Sequence, residues 1–455
     1  MTEAALETAE RALALASPDS QVTVIHERSL LSRFARSAPT QATEVDDVTV
    51  EILALCDGHI ATASTNRLDE EGLRATAERA AAAARASASA GPGAHPGLTE
   101  AGHPPPAHQG FDPETARLDP ERAGAALRET FAVAAEHGLE AFGVWTVGDV
   151  ETAIASSTGV RLSERVPDAF MKVICRDADG RSGFASATAT AASDIDPVAV
   201  ARRAAAKVSS APPSQIGPGT YPVVLEPEAV GLLLEFFGSL ALNGLAHVEG
   251  RGALSDKLGT PVAAPAISLS DSPRFPRTLA RAFDFEGVPK APIALVQEGI
   301  AEHVVHDRRS AALAGGGARS TGHATQPGGS PFGPVPTNLV LAGGGAANVD
   351  ELAAPIELGI YVTRLWYVNP VREKETLLTG MTREGTFLIE DGKITRPLRD
   401  VRFTDSILRL LSATEALTRE QRLVTEGEFY GRRFAHGVVC PALRADGFRV
   451  TGATT

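Results

Sequence analysis

One pattern occurs twice in the first half of this chain, and it limits the fold more than any other feature. Residues 48–56 alternate apolar and polar side chains, Asp57-Gly58 follows, the alternation returns over 59–63, and a helix is predicted from about 69 to 87. The second copy runs over 171–176, Asp179-Gly180, 182–188 and a helix from about 197 to 207. Period-two alternation marks half-buried strands, and Asp-Gly between two such runs signals a hairpin, because these residues tolerate the positive φ of its turn. Each copy is preceded by a further hairpin-like stretch, 22–34 in the first and 143–150 with 151–162 in the second. Strands followed by one long helix, used twice, predict an α+β layer, an antiparallel sheet with its helices on one side. The repeat by itself carries no chemistry.

At 455 residues the chain is too long for one core. Residues 91–114 read as a linker, since Pro and Gly at this density resist regular structure. His95, His103 and His108 in it are expected to be solvated, because flexible ligands lose entropy on chelation. A second boundary lies from Ala211-Pro212-Pro213 to Gly217-Pro218-Gly219. The expected organisation is therefore an N-terminal α+β domain over 1–215 and a β-rich C-terminal domain over 220–455 that holds a buried apolar helix. Beyond that helix, strand pairs are predicted around Glu298-Gly299 and Asp391-Gly392, and a capped helix follows Asn348.

A net charge of −13 argues against a nucleic-acid groove, which needs clustered Lys and Arg. The most apolar run, 229–245, contains Glu235 and Asn243 and is too short and too polar for a membrane span. Three cysteines without CxxC spacing, and an acidic start without the basic-then-apolar order of a signal peptide, predict a cytoplasmic protein.

The run 227–244 reads Pro-Glu-Ala-Val-Gly-Leu-Leu-Leu-Glu-Phe-Phe-Gly-Ser-Leu-Ala-Leu-Asn-Gly. Its opening Pro227-Glu228-Ala229 and Gly231 resemble the start of the active-site helix of the TldD/PmbA family, the "modulator of DNA gyrase" metallopeptidases. Further fragments keep the family's order: Arg33-Phe34-Ala35 with Gln41, Thr65-Asn66-Arg67-Leu68-Asp69, Phe285-Glu286-Gly287-Val288-Pro289, and Ser320-Thr321-Gly322-His323. Gly359-Ile360-Tyr361-Val362-Thr363 and Glu390-Asp391-Gly392-Lys393-Ile394 continue it. Zinc-bearing members carry His-Glu-x-x-x-His on this helix. Here those positions hold Glu235, Phe236, Phe237, Gly238, Ser239 and Leu240. Zinc needs converging imidazole or thiolate lone pairs, which Phe and Leu do not offer. The chain is thus similar to the PmbA/TldE-type subunit, and no metal residue is expected in it. Cys440 invites comparison with the family's ligand cysteine, but it does not map onto that position.

On one continuous helix Glu235, Ser239 and Asn243 would form a polar stripe at i, i+4 and i+8, facing a cavity, a subunit interface or water inside a core. A general-base role for Glu235 is weak, because the glutamate of a zinc peptidase acts on a metal-polarised water. Ser320, Thr321 and His323 either line the same cavity or form a plain turn. His303 and His306 are three apart on a predicted strand, so they point to opposite faces and share no metal. Gly315–Gly317 and Gly343–Gly345 lack the continuation of a phosphate loop.

The resemblance implies a pair of homologous subunits around a protected chamber. A TldD-like partner supplies the zinc, this chain completes the substrate path, and unfolded, small or modified peptides are hydrolysed. Added-strand hydrogen bonding would suit such substrates, being indifferent to side chains. Two alternatives stay open: a stand-alone, metal-independent tailoring hydrolase of specialised metabolism, and a homodimeric peptide-binding protein.

Overall fold

Both copies of the repeat are extended by a helix at their front. In the computed structural model, which describes residues 4–425 and 431–453, the first copy is α1 (Ala5–Ala14), β1 (Ser20–Ala35), β2 (Ala38–Cys56), β3 (His59–Thr65) and α2 (Glu70–Ala88). The second is α3 (Pro120–Glu136), β4 (Glu140–Ser156), β5 (Arg161–Arg176), β6 (Ser182–Ala189) and α4 (Pro197–Ala205). Asp57 and Gly58 both take positive φ, 45° and 74°, at the β2–β3 turn. The copies join through their long first strands, β1 antiparallel to β4, into one sheet of order β3-β2-β1-β4-β5-β6.

Strand alternation gives this sheet two different buried faces. Val22, Val24, Ala153 and Ala155 pack under α1 and α2, while Trp145, Val147, Met171 and Val173 pack with α3 and α4. The opposite face carries Ile25 and Val150 against Phe285, and Ile154 against Ala282 and Phe283. The layers are therefore helices, sheet, and then the C-terminal half. Polar pins cross that last junction: Gln21 Nε2 donates to Phe285 O at 2.8 Å, and Glu164 Oε2 accepts from Ala282 N at 2.7 Å.

The Pro/Gly-rich stretch 91–114 has no helix or strand, as composition predicts, but parts of it are held on the folded body: Gly93 N donates to Asp57 O at 2.8 Å, and Gly97 O accepts from Arg308 Nε at 3.0 Å. His95 is half-buried, and burial, then Arg308, lowers its pKa to about 4. The His108 side chain is buried 3.6 Å from Glu164. Of the three histidines only His103 is exposed.

The C-terminal half begins with β7 (Gly219–Leu225), α5 (Pro227–Leu240) and the short α6 (Gly244–Val248). It continues through β8 (Leu269–Asp271), β9 (Ile293–Gln297), β10 (Ile300–Ala301), β11 (Asn338–Leu341), β12 (Leu358–Arg372), β13 (Leu377–Glu390), β14 (Lys393–Pro397), β15 (Val401–Ser406), β16 (Thr414–Val424) and β17 (Gly437–Ala453). These make one sheet, β10-β9-β8-β11-β17-β15-β13-β12-β7, with β14 on β13 and β16 on β17. α5 lies on this sheet in the largest apolar core, with Ala229, Val230, Leu233, Leu234, Phe237 and Leu240 turned inward. The observed class is α+β. Among the described residues no helix is long and apolar enough to cross a membrane.

Candidate functional site

α5 opens with Pro227 at its first position, where the missing N–H costs nothing, and Gly231 lets the helix come close to β16. A Cβ at Gly231 would stand 2.2 Å from Val424 Cγ2. The side of the helix left out of the core is a stripe of Glu228, Leu232, Glu235 and Ser239, spaced by four, three and four residues. That stripe differs from the expected one at its far end. α5 stops at Leu240, so Asn243 is not on it. Asn243 is buried instead as the cap of α6: its Oδ1 accepts from Leu245 N and Ala246 N, and its Nδ2 donates to Phe332 O at 2.7 Å. Ser239 turns back on its own helix, donating to Phe236 O at 3.0 Å.

Over this stripe lies a cleft between the two halves, lined by Phe170, Lys172, Phe184, Glu228, Glu235, Arg364 and Trp366 among others. Arg364 is stacked on Phe184 and Trp366, 4.3 and 4.8 Å from their centroids, and paired with Glu384. His436 Nε2 reaches to 3.9 Å of Glu235 Oε1. It is carried there by residues 431–436, which are pinned to the N-terminal sheet. Arg433 is buried and meets Asp168 through two bonds of 2.8 and 2.6 Å, and Arg281 stacks on Phe434 at 4.1 Å.

A charged network closes the helix's N-terminal end. Glu226 accepts from Tyr361 OH and, at 2.8 Å, from Lys207 Nζ. Arg422 stands 3.9 Å from Glu226 and 3.5 Å from Glu228. Burial raises the Glu226 carboxyl against the pull of Lys207. For Glu228 burial also acts upward, but Arg422, Lys207 and Arg203 outweigh it and hold the group below the usual carboxylate range. The free edge of β6 is covered here: Lys207 Nζ donates to Phe184 O at 3.1 Å, and Arg203 to Ser186 O. Those two carbonyls are unavailable to an added strand.

The donors near α5 do not fit zinc. Glu235 offers one carboxylate, while Leu240, at the second histidine position, is 8% exposed in the core. Cys440 lies against the first turns of the helix, with Sγ 3.3 Å from Pro227 O. Burial, then Glu228, pushes its thiol well above the usual value, so it stays protonated. Among the described residues no group of three or more His, Cys, Asp or Glu side chains is placed to hold a metal ion.

Ser320, Thr321 and His323 do not line this cleft. Thr321 Oγ1 accepts from His306 N and meets His323 Nδ1 at 2.9 Å, and Ser320 Oγ donates to His306 O. His323 Nε2 and Lys290 Nζ both lie 3.2 Å from Asp271 Oδ1, all three fully buried. Burial favours a protonated Asp271, yet Lys290 and His323 hold its carboxyl low, while burial lowers both of theirs. His303 bonds Ala294 O and His306 bonds Ser310 Oγ. Lys172, Arg364, Arg422 and His436 were not singled out by the sequence. Lys172 on β5 and Arg364 on β12 line the cleft, Arg422 on β16 and His436 before β17 stand beside acids of α5, and no local motif announces that.

Family models match the chain in order: PmbA/TldA metallopeptidase domain 1 over 21–84, the central domain over 112–211 and the C-terminal domain over 218–452. Among solved structures, TldE from Thermococcus kodakarensis is similar with a TM-score of 0.85 and 19% identity, covering 99% of this chain and 100% of that one. A putative modulator of a DNA gyrase from Thermotoga maritima gives 0.82 and 21%, covering 98% and 99%. A metalloprotease of Methanothermobacter thermautotrophicus is 28% identical over 47% of this chain and 45% of its own length. A zinc metalloprotease TldD homologue of Saccharolobus solfataricus is 27% identical over 44% of each. The chain spans about half the length of the curated relatives it matches. With the C-terminal model alone covering more than half of its residues, the chain belongs to the TldD/PmbA metallopeptidase family.

Proposed function

We propose that this chain is the zinc-less subunit of a pair, closing a peptide chamber with a homologous subunit that carries His-Glu-x-x-x-His. One observation carries the reading: hydrocarbon and a single carboxylate occupy the metal positions of α5, while the cleft over that helix stays open. The Saccharolobus relative is named a zinc metalloprotease, and a protein of that kind would supply the metal. This chain's own part is then to bind and orient the peptide. Glu235, Lys172 and Arg364 fix its polar groups, and Phe170, Phe184 and Trp366 receive apolar side chains. Unfolded, small or modified peptides are the substrates this suits, because a site shared between two subunits is closed to folded proteins. All three cysteines are unpaired, which supports a cytoplasmic setting. Co-expression with a His-Glu-x-x-x-His homologue, followed by size-exclusion chromatography with mass measurement, tests the pair. A mixed species is expected. Two separate species at micromolar concentration would rule it out.

A further inference from the structure

We infer that the cleft between β6 and β16 is a carboxylate site that takes the C-terminus of a peptide. The inference rests on the reading that peptides enter the space over α5. This second cleft is walled by Thr188, Arg203, Glu228, Arg277, Gln421 and Arg422 among others. Its donors are underused. Arg203 sends one terminal nitrogen to Ser186 O, but its Nε–H is buried and has no acceptor among the described residues. The Thr188 hydroxyl is buried and unpartnered in the same way. Arg422 has its carboxylate neighbours only at 3.5 and 3.9 Å, beyond a good hydrogen bond. At the mouth, Arg277 is held in place by two 2.8 Å bonds to Gln421.

Arg203 and Arg422 stand side by side in this cleft, facing Glu226, Glu228 and Glu420. Burial makes the Arg203 cation costly, and Arg422 beside it adds to the cost. A bound anion relieves both. A carboxylate presents two oxygens, enough to accept from two guanidinium groups at once.

The cleft does not end at the arginines, which favours a peptide over an inorganic anion. Ser186, Glu228 and Val424 also line the cleft over α5, so the two spaces adjoin. From Glu228 to Glu235 is two helical turns, about 10.5 Å. An extended chain covers that in about three residues. A peptide anchored by its carboxylate therefore lays its last three residues toward Glu235, along the Phe170, Phe184 and Trp366 wall.

Calorimetry on the chain alone tests this with acetyl-Ala-Ala-Phe-Ala as the free acid, as the C-terminal amide, and with sodium sulfate. The acid is expected to bind at least about tenfold more tightly than the amide. Thr188→Val, a near-isosteric change, should weaken the acid and leave the amide unchanged, and Arg203→Met should abolish the preference. Equal binding of acid and amide, no binding of either at millimolar concentration, or a Thr188→Val chain with undiminished preference overturns the assignment. Sulfate that binds as tightly as the acid peptide overturns it as well, since the site is then one for inorganic anions. Partner binding is scored separately by chromatography. A pair that forms while the chain shows no acid preference sinks this inference alone, and an acid preference without a pair sinks only the proposed function.

Discussion

Removing Asp168 should destabilise the protein more than most single changes, because it takes away a carboxylate paired with a buried cation. Arg433 and Asp168 are 3% and 2% exposed. Their two bonds measure 2.8 and 2.6 Å, and a third runs from Arg433 Nη1 to Thr146 Oγ1 at 2.9 Å. Gly148 makes the room, since a Cβ there would stand 2.2 Å from Arg433 Nε. Asp168→Ala removes both of its bonds to Arg433 and leaves the guanidinium buried near the buried Arg281. The expected cost is about 3–5 kcal/mol. Arg433→Met with Asp168→Leu removes both charges, and Thr146 keeps its bond to Leu30 O, so the double variant should recover most of that loss. The chain's two tryptophans, Trp145 in the N-terminal sheet and Trp366 on β12, allow single-tryptophan backgrounds that report each half during urea unfolding. An Asp168→Ala cost below about 1 kcal/mol, or single costs that simply add in the double variant, would refute a buried, mutually dependent pair.

Glu235→Leu should leave the melting temperature nearly unchanged and lower partner-dependent peptide hydrolysis, since Glu235 faces the cleft; a large fall in melting temperature with activity kept would make it structural. Native alkylation followed by mass spectrometry should modify Cys56 alone, because Cys440 and Cys175 are buried and burial raises the Cys175 thiol to about 11; fast labelling of Cys440 would contradict its placement. Burial raises the Asp400 carboxyl to about 6, against the opposing hydrogen bond from Thr386. The folded state therefore binds that proton more tightly than the unfolded chain, and this contribution to stability is present at low pH and lost as pH rises from about 4 to 6. Asp400→Asn should flatten the stability–pH curve in that window by at most about 1.4 kcal/mol per pH unit, and an unchanged slope by denaturant titration would count against it.

What the sequence made legible is local. The Asp57-Gly58 turn and the helix after it follow from side-chain alternation and turn chemistry, and both are where the pattern puts them. The lengths of β1 and β2 were less visible, because residues 38–47 are largely exposed and show no clear apolar period. The Pro/Gly segment lacks helix and strand as its composition says, but His95 and His108 are not solvated, because composition does not report the bonds from Gly93, His95 and Gly97 to Asp57, Gly58 and Arg308. Asn243 misled through a helix that breaks at Ala241, although Asn before Gly244 is itself an N-cap signal. The metal positions on α5 could be read residue by residue. Arg364 on the cleft wall, and Arg422 and His436 beside the acids of α5, could not, because tertiary packing between distant segments brings them there.

The most direct measurement is zinc content and peptide hydrolysis on the purified chain, alone and mixed with a His-Glu-x-x-x-His homologue. The account predicts no stoichiometric zinc and no cleavage by the chain alone, and one zinc per pair with cleavage in the mixture. One tightly held zinc per isolated chain, lost on changing His303 or His306, or peptide cleavage by the isolated chain, would contradict it.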